Sequence, residues 1–341
     1  MGTDRTPVAA SAIPGPAALP VRIADLVPGM HARGVFVVKK KVCREQAGGN
    51  RFLLFQFADR SGQINGVLWD GVDEVSNCIT TGDLAHVQGD VQTYQNARQI
   101  KVQRIAPAEP GGFDLADFLP TSANDLDALY GRLLATVHAV GDPWLRRLYT
   151  SVFEDPEVAR RFKHAPAGKG WHHAYVGGLL EHVLSMLEIA ALIVRQHPEA
   201  DADLVVGGVL MHDIGKIEEL VLRSHIEYSD AGRLVGHLVQ GCLLVARHMD
   251  RLEGFPPETR MRLLHVLVSH HGAVERGSPK PPMTLEATIV HLVDHLDSQV
   301  DAVARVVCGP RGEDGWTEHV KLQDRSFYAG RPPARSGDPR D

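Results

Sequence analysis

Histidine is crowded into one stretch of this chain. Fourteen of the 18 histidines fall between His164 and His295, and only His31, His86, His138 and His319 lie outside it. Several sit on otherwise apolar helical faces. His182 shares a face with Leu179, Met186 and Ile189; His212 aligns with Val205, Gly208 and Val209 and is followed at once by Asp213. His237 lies over Gly241 and Leu244, His270 and His271 end an apolar run, and Asp294 aligns with Ala287 and Val290. Any one of these, taken singly, is a core His or Asp satisfied by a hydrogen bond, since burying it unpaired costs about 1–3 kcal/mol. Together they favour a metal site. Imidazoles with carboxylates suit a first-row transition metal, whereas an all-oxygen cage would suit Mg²⁺ or Ca²⁺. A carboxylate has two oxygens and can bridge two ions about 3.5–4 Å apart, an arrangement used for in-line displacement at phosphorus.

Helices must position these groups. Leu126, Leu129, Leu133, Leu134 and Val137 form one amphipathic stripe, and Trp144–Tyr149 begins another after an Asp-Pro pair. Further helical patterns cover 174–195, 203–212, 232–250, 257–271 and 283–307, with no comparable strand pattern between them. The region before them has a different texture. GVFVVKKKV, RFLLFQFA, QINGVLW, LAHVQGDVQ and RQIKVQRI are β-rich runs, and residues 58–63 read as a hairpin turn built on Asp59 and Gly62. Alternation in RFLLFQF puts Leu53, Phe55 and Phe57 in a core, with Phe52, Leu54 and Gln56 on the other side. Five short strands with a helical insert at 72–78 fit a small OB-type barrel. The expected organisation is a disordered Ala/Pro-rich leader at 1–20, the barrel at 21–107, a Pro- and Gly-containing linker at 108–123, an all-α domain at 124–310 and a tail at 311–341.

Composition narrows the classes. The chain has 341 residues, a formal net charge of −6, 44% hydrophobic and 23% charged residues, which is globular. No apolar run is long enough to span a bilayer; the best, 177–194, is broken by Glu181, His182 and Glu188. The first twenty residues lack the apolar centre of a signal peptide. Four scattered cysteines without a CxxC pair suit reduced thiols in the cytoplasm. Residues 21–110 carry 11 Lys+Arg against 9 Asp+Glu, a net of +2, while the rest carry 25 against 33, a net of −8. The two parts therefore have different electrostatic characters.

The order H…HD…H…HH…D, here His182, His212–Asp213, His237, His270–His271 and Asp294, resembles the two-metal members of the HD-domain phosphohydrolase superfamily. That resemblance implies one divalent ion held by His182, His212, Asp213 and Asp294. It implies a second held by His237, His270 and His271, with Asp213 bridging and acting as a catalytic residue. Lys216 would neutralise charge developing on phosphate, and its plainer alternative is a solvated lysine at a helix end. The segment 270–279 resembles the cyclic-dinucleotide-cleaving branch but departs from HHE…GYP at Gly272 and at Gly277–Ser278–Pro279. A match over roughly residues 21–330 is stronger. DRSGQI…LWD, HHAYVGGLLEH, HDIGK, GHLV, SHHG and the tail GWTE with Phe327 and Tyr328 are similar to the YhaM family of 3′→5′ exoribonucleases.

Membership would imply single-stranded RNA, and in some members single-stranded DNA, as substrate. It would also imply two divalent ions, Mn²⁺ or Co²⁺ in type with Fe²⁺ and Zn²⁺ compatible with the same ligands, and it leaves a homo-oligomer open. His172 and His173 match the family's HHAY and would contact the substrate phosphate, with a plain helix-start pair as the alternative. In the barrel, Lys39, Lys40, Lys41, Arg98 and Lys101 would supply cations, and Phe52 or Tyr94 a stacking face. Two rival readings remain at this point: a small-molecule phosphohydrolase acting on a nucleotide or cyclic dinucleotide, and a nucleic-acid-binding protein with a vestigial metal site.

Overall fold

A computed structural model describes residues 21–46, 48–95, 97–108, 117–223, 225–309 and 311–331. The expected leader at 1–20, half of the expected linker (109–116) and the last ten residues lie outside the described residues. The chain divides into two compact units. One holds the described residues of Met1–Leu119 and Arg223–His225, the other those of Pro120–Leu222 and Ile226–Asp341. The boundary falls inside the expected linker.

In the first unit, β1 (His31–Glu45), β2 (Arg51–Asp59), β3 (Gly62–Leu68), β4 (Leu84–Tyr94) and β5 (Ala97–Pro107) close in the order β1-β2-β3-β5-β4, with helix α1 (Val72–Cys78) between β3 and β4. The β3–β5 pair is parallel and the other pairs are antiparallel. This is the OB barrel. Leu53, Phe55 and Phe57 are buried with Phe36 and Ile100, as the alternation of β2 requires. The turn into β3 closes because the Asp59 carboxylate accepts from the amides of Ser61 and Gly62 at 2.7 and 3.1 Å.

The second unit is helical: α2 (Leu126–Ala139), α3 (Pro143–Phe153), α4 (Pro156–His164), α5 (Gly178–Gln196), α6 (Ala202–Met211), α7 (Lys216–Glu219), α8 (Asp230–Val235), α9 (His237–Asp250), α10 (Pro257–Ser269) and α11 (Leu285–Val307). Helices α5, α6, α10 and α11 enclose one core around Val183, Leu210, Val266 and Val290. Three details differ from the sequence expectation. Helix α5 starts at Gly178 rather than 174, because His173 and Gly177 take left-handed backbone angles of φ 42° and 85°. The expected helix over 232–250 is two helices, broken at Gly236, whose φ of 78° the helix cannot accommodate. The domain is also not purely helical, since β6 (Leu220–Leu222) and β7 (Ile226–Tyr228) pair as a short hairpin after α7. Among the described residues, no helix is long and apolar enough to cross a membrane.

Candidate metal centre and nucleic-acid interface

Helix ends and one turn bring the polar residues together. His182 projects from the first turns of α5; His212 and Asp213 follow α6; His237 opens α9; His270 and His271 follow α10; Asp294 lies mid-way along α11. All seven expected ligands fall into two groups whose ligand atoms lie within 4.8 Å of one another: His182, His212 and Asp294, and Asp213, His237, His270 and His271. Asp213 stands between them. Its Oδ2 is 3.2 Å from His212 Nε2, and its Oδ1 is 3.4 and 3.6 Å from His237 and His270 Nε2. Asp294 Oδ1 lies 3.3 Å from His182 Nε2 and 3.9 Å from His212 Nε2.

Every one of the five imidazoles is held from behind through Nδ1. His212 donates to Val209 O, His270 to Leu267 O and His271 to Arg276 O, at 2.9, 2.8 and 3.0 Å. His182 pairs with Asp297 Oδ2 at 2.7 Å, and His237 with both Glu219 carboxylate oxygens at 3.0 Å. Carbonyls and carboxylates only accept, so in each neutral ring Nδ1 carries the proton and Nε2 turns its lone pair inward. His182 Nε2, His212 Nε2, His270 Nε2 and Asp213 Oδ1 are buried without a hydrogen-bond partner. Leaving such atoms bare costs about 1–3 kcal/mol each, which a cation among them removes. The donor set of imidazole nitrogens and carboxylate oxygens fits a divalent first-row transition metal.

The same contacts set the electrostatics of the metal-free site. Burial works to raise the Asp213 carboxyl, but Lys216 and His212 beside it hold it well below the usual range. Burial likewise opposes the depression of Asp294, which His182 and His212 enforce. His271 is pushed down to about 4 by burial and by the neighbouring rings of His270 and His237. His182 moves the other way, up to about 9, because Asp294 and Asp297 outweigh its burial.

Around the metal groups lies a cleft of about 510 Å³ lined by Trp171, His172, Lys216, Arg276, His291 and Arg325, among others. His172 faces it with both ring nitrogens unpartnered, its pKa pushed down to about 3 by burial and then by Lys216. His173 does not belong to this surface. Its Nδ1 is 2.8 Å from the Tyr175 hydroxyl and its Nε2 3.1 Å from Asp297, so it sits behind His182 and not in the cleft lining. Lys216 is buried and not solvated: its ammonium donates to Asp213 Oδ2 and Ala167 O, both at 2.5 Å.

On the barrel, a groove of about 390 Å³ runs across β1, β2, β3 and the β4–β5 hairpin, lined by Lys40, Arg44, Gln56, Tyr94 and Arg98. Phe52 is stacked on Trp69 at 4.6 Å, on the Leu54–Gln56 side of β2. Three of the expected cations have other placements or commitments. Lys41 donates to Ser76 O and Ile79 O and so ties down α1; Arg98 lines the groove but commits Nη1 to Leu26 O at 2.6 Å; Lys101 is exposed on β5 outside the groove lining. Sequence reasoning missed Arg44, Trp69, Asp297, Glu219, Arg276 and Arg325. Only Asp297 left a usable signal, one helical turn beyond Asp294 in HLVDHLD.

Fold and site define an HD-domain protein carrying an OB barrel. The HD domain model matches residues 179–299, and the OB-fold nucleic acid binding domain model matches residues 35–108. An HD domain implies dependence on a divalent metal, and these His and Asp groups could hold one. Curated relatives match along most of the chain. The 3′-5′ exoribonuclease YhaM of Geobacillus sp. (strain WCH70) is 32% identical over 86% of this chain and 90% of its own. That of Bacillus subtilis (strain 168) is 34% identical over 83% and 89%, and that of Listeria innocua 29% identical over 90% and 97%. The chain belongs to the YhaM family of 3′-5′ exoribonucleases.

Proposed function

We propose that this chain is a divalent-metal-dependent exoribonuclease that shortens single-stranded RNA from its 3′ end by hydrolysis at a two-ion centre. The observation that carries the reading is the position of Asp213, whose two oxygens address separate groups of oriented imidazole nitrogens. His182, His212 and Asp294 would hold one ion and His237, His270 and His271 the other, with Asp213 shared. When bound, such ions supply Lewis acidity toward a phosphodiester and make nearby water more acidic.

The remaining work belongs to side chains. Lys216, locked between Asp213 and Ala167 O, presents a fixed ammonium to the cleft and stabilises negative charge that grows on phosphate during attack. His172, neutral at physiological pH, offers one N–H to a non-bridging phosphate oxygen. In the barrel, Lys40 and Arg44 meet backbone phosphates, and Tyr94 and the Phe52–Trp69 pair offer ring faces to bases. The four free cysteines fit a reducing cytoplasm.

The test is a 5′-labelled single-stranded RNA incubated with the protein and Mn²⁺. A ladder receding from the 3′ end, abolished by chelator, is expected. Intact RNA beside rapid hydrolysis of nucleotides or cyclic dinucleotides would transfer the activity to a small-molecule phosphohydrolase. A parallel single-stranded DNA fixes the polymer preference.

A further inference from the structure

We propose that Arg276 and Arg325 form a phosphate clamp at the mouth of the metal cleft, gripping the sugar–phosphate backbone of the strand whose end is being cut. The inference rests on the exoribonuclease reading above. Two separate segments supply it. Arg276 ends the short 3-10 turn Val274–Arg276, whose backbone carbonyl also orients His271. Arg325 comes from the C-terminal segment, beyond the residues matched to the HD domain.

That segment is folded against the helices. Val320 and Arg325 form a β-bridge, Trp316 bridges Tyr328, and Gln323 Nε2 donates to Gln299 Oε1 on α11 at 2.8 Å. Arg325 is held in turn by Gln323, through Nε to the backbone carbonyl at 3.1 Å and Nη2 to Oε1 at 3.2 Å, with its guanidinium 6.0 Å above the Phe327 ring. All these partners are neutral. Among the described residues neither Arg325 nor Arg276 pairs with a carboxylate, whereas Arg160, Arg161, Arg260 and Arg262 of the same unit do. The third cation of the cleft, Lys216, is committed to Asp213. Two uncompensated guanidiniums therefore line the cleft of an acidic domain, one of them fixed through Nε and Nη2 so that Nη1 remains for a ligand. A guanidinium matches a phosphodiester in charge and in fork geometry. A small ester offers one phosphate and no adjoining backbone to grip, so the clamp acts on polymer alone.

The experiment compares Arg276→Gln, Arg325→Gln and the double variant with the parent full-length chain in Mn²⁺, on single-stranded RNA and on bis(p-nitrophenyl) phosphate. Each single variant is expected to raise KM for RNA about tenfold with little change in kcat. Each should also flatten the dependence of log(kcat/KM) on log salt by about 0.7, the value for one phosphate contact on a single strand. Hydrolysis of the small ester should be unchanged, and Arg325→Lys should keep the salt slope. Equal losses on RNA and ester, or a double variant indistinguishable from the parent on RNA, overturns the clamp while leaving the exoribonuclease reading intact. RNA left uncut by the parent chain overturns that reading, and the clamp with it.

Discussion

Asp297 is absent from the expected ligand set, yet it orients His182, one of the proposed ligands. Its Oδ2 accepts from His182 Nδ1 at 2.7 Å and lies 3.1 Å from His173 Nε2, while Oδ1 accepts from the Ser185 hydroxyl. Burial alone would raise the Asp297 carboxyl, but His173, His182 and Ser185 hold it well below the usual range, so it is a full anion. Replacing it with alanine leaves a buried imidazole N–H unpaired and frees the ring to exchange tautomers. A hydrogen bond to a charged group is worth about 1.5–3 kcal/mol net, and second-layer partners of metal ligands typically contribute 10–100-fold in affinity. Those ranges agree, since about 1.4 kcal/mol is tenfold. Calorimetric titration of Mn²⁺ into metal-free Asp297→Ala should show one of two binding events weakened by that factor, with folding checked by circular dichroism. The other event should change little, because His237, His270 and His271 are oriented by Glu219, Leu267 O and Arg276 O. Glu219→Ala should show the complementary pattern. Unchanged affinity in a folded Asp297→Ala protein, or equal loss at both events, refutes the reasoning.

Gly215 follows the HD pair where a Cβ would lie 2.0 Å from His237 O and 2.6 Å from Gly241 N. Gly215→Ala must push α9 away, so about 1–3 kcal/mol of destabilisation in a thermal melt and loss of one ion per chain are expected. Lys216→Gln should lower kcat on RNA about 10²–10³-fold, the usual effect of deleting one charge-stabilising donor, while ion stoichiometry by elemental analysis stays the same. The metal-free protein should lose stability in alkali. His182 titrates near 9 when folded against about 6.5 unfolded, so its contribution is complete below pH 6.5 and lost as pH rises through 9. That loss is on the order of 3 kcal/mol, read as a falling melting temperature between pH 6 and 9.5, and saturating metal should abolish it because a bound imidazole is already neutral.

The residues of the two His/Asp groups were legible in the sequence because several interrupt an apolar helical stripe, which local periodicity exposes, and because their order follows the H…HD…H…HH…D pattern. The barrel was legible for the same reason, through the alternation of Leu53, Phe55 and Phe57. Helix α4 was not anticipated although Asp155–Pro156 repeats the Asp142–Pro143 start of α3, with the aspartate capping the first turn in both. Other features have no local signature. Glu219 meets His237 only because a hairpin and α8 return the chain across 18 residues, and Arg325 reaches the cleft only because the tail folds back on α11. His173 looked like a twin of His172, but its left-handed backbone turns the ring away from the cleft toward Asp297. Adjacent residues with one chemistry can thus face different shells of one site, and sequence spacing cannot separate them.

The central claim is that Asp213 joins two ion sites, and Mn²⁺ titration followed by electron paramagnetic resonance tests it most directly. Two ions per chain with an exchange-coupled spectrum, the coupling lost in Asp213→Asn, are predicted. Saturation at one ion per chain, or two magnetically independent ions in the parent protein, would contradict it.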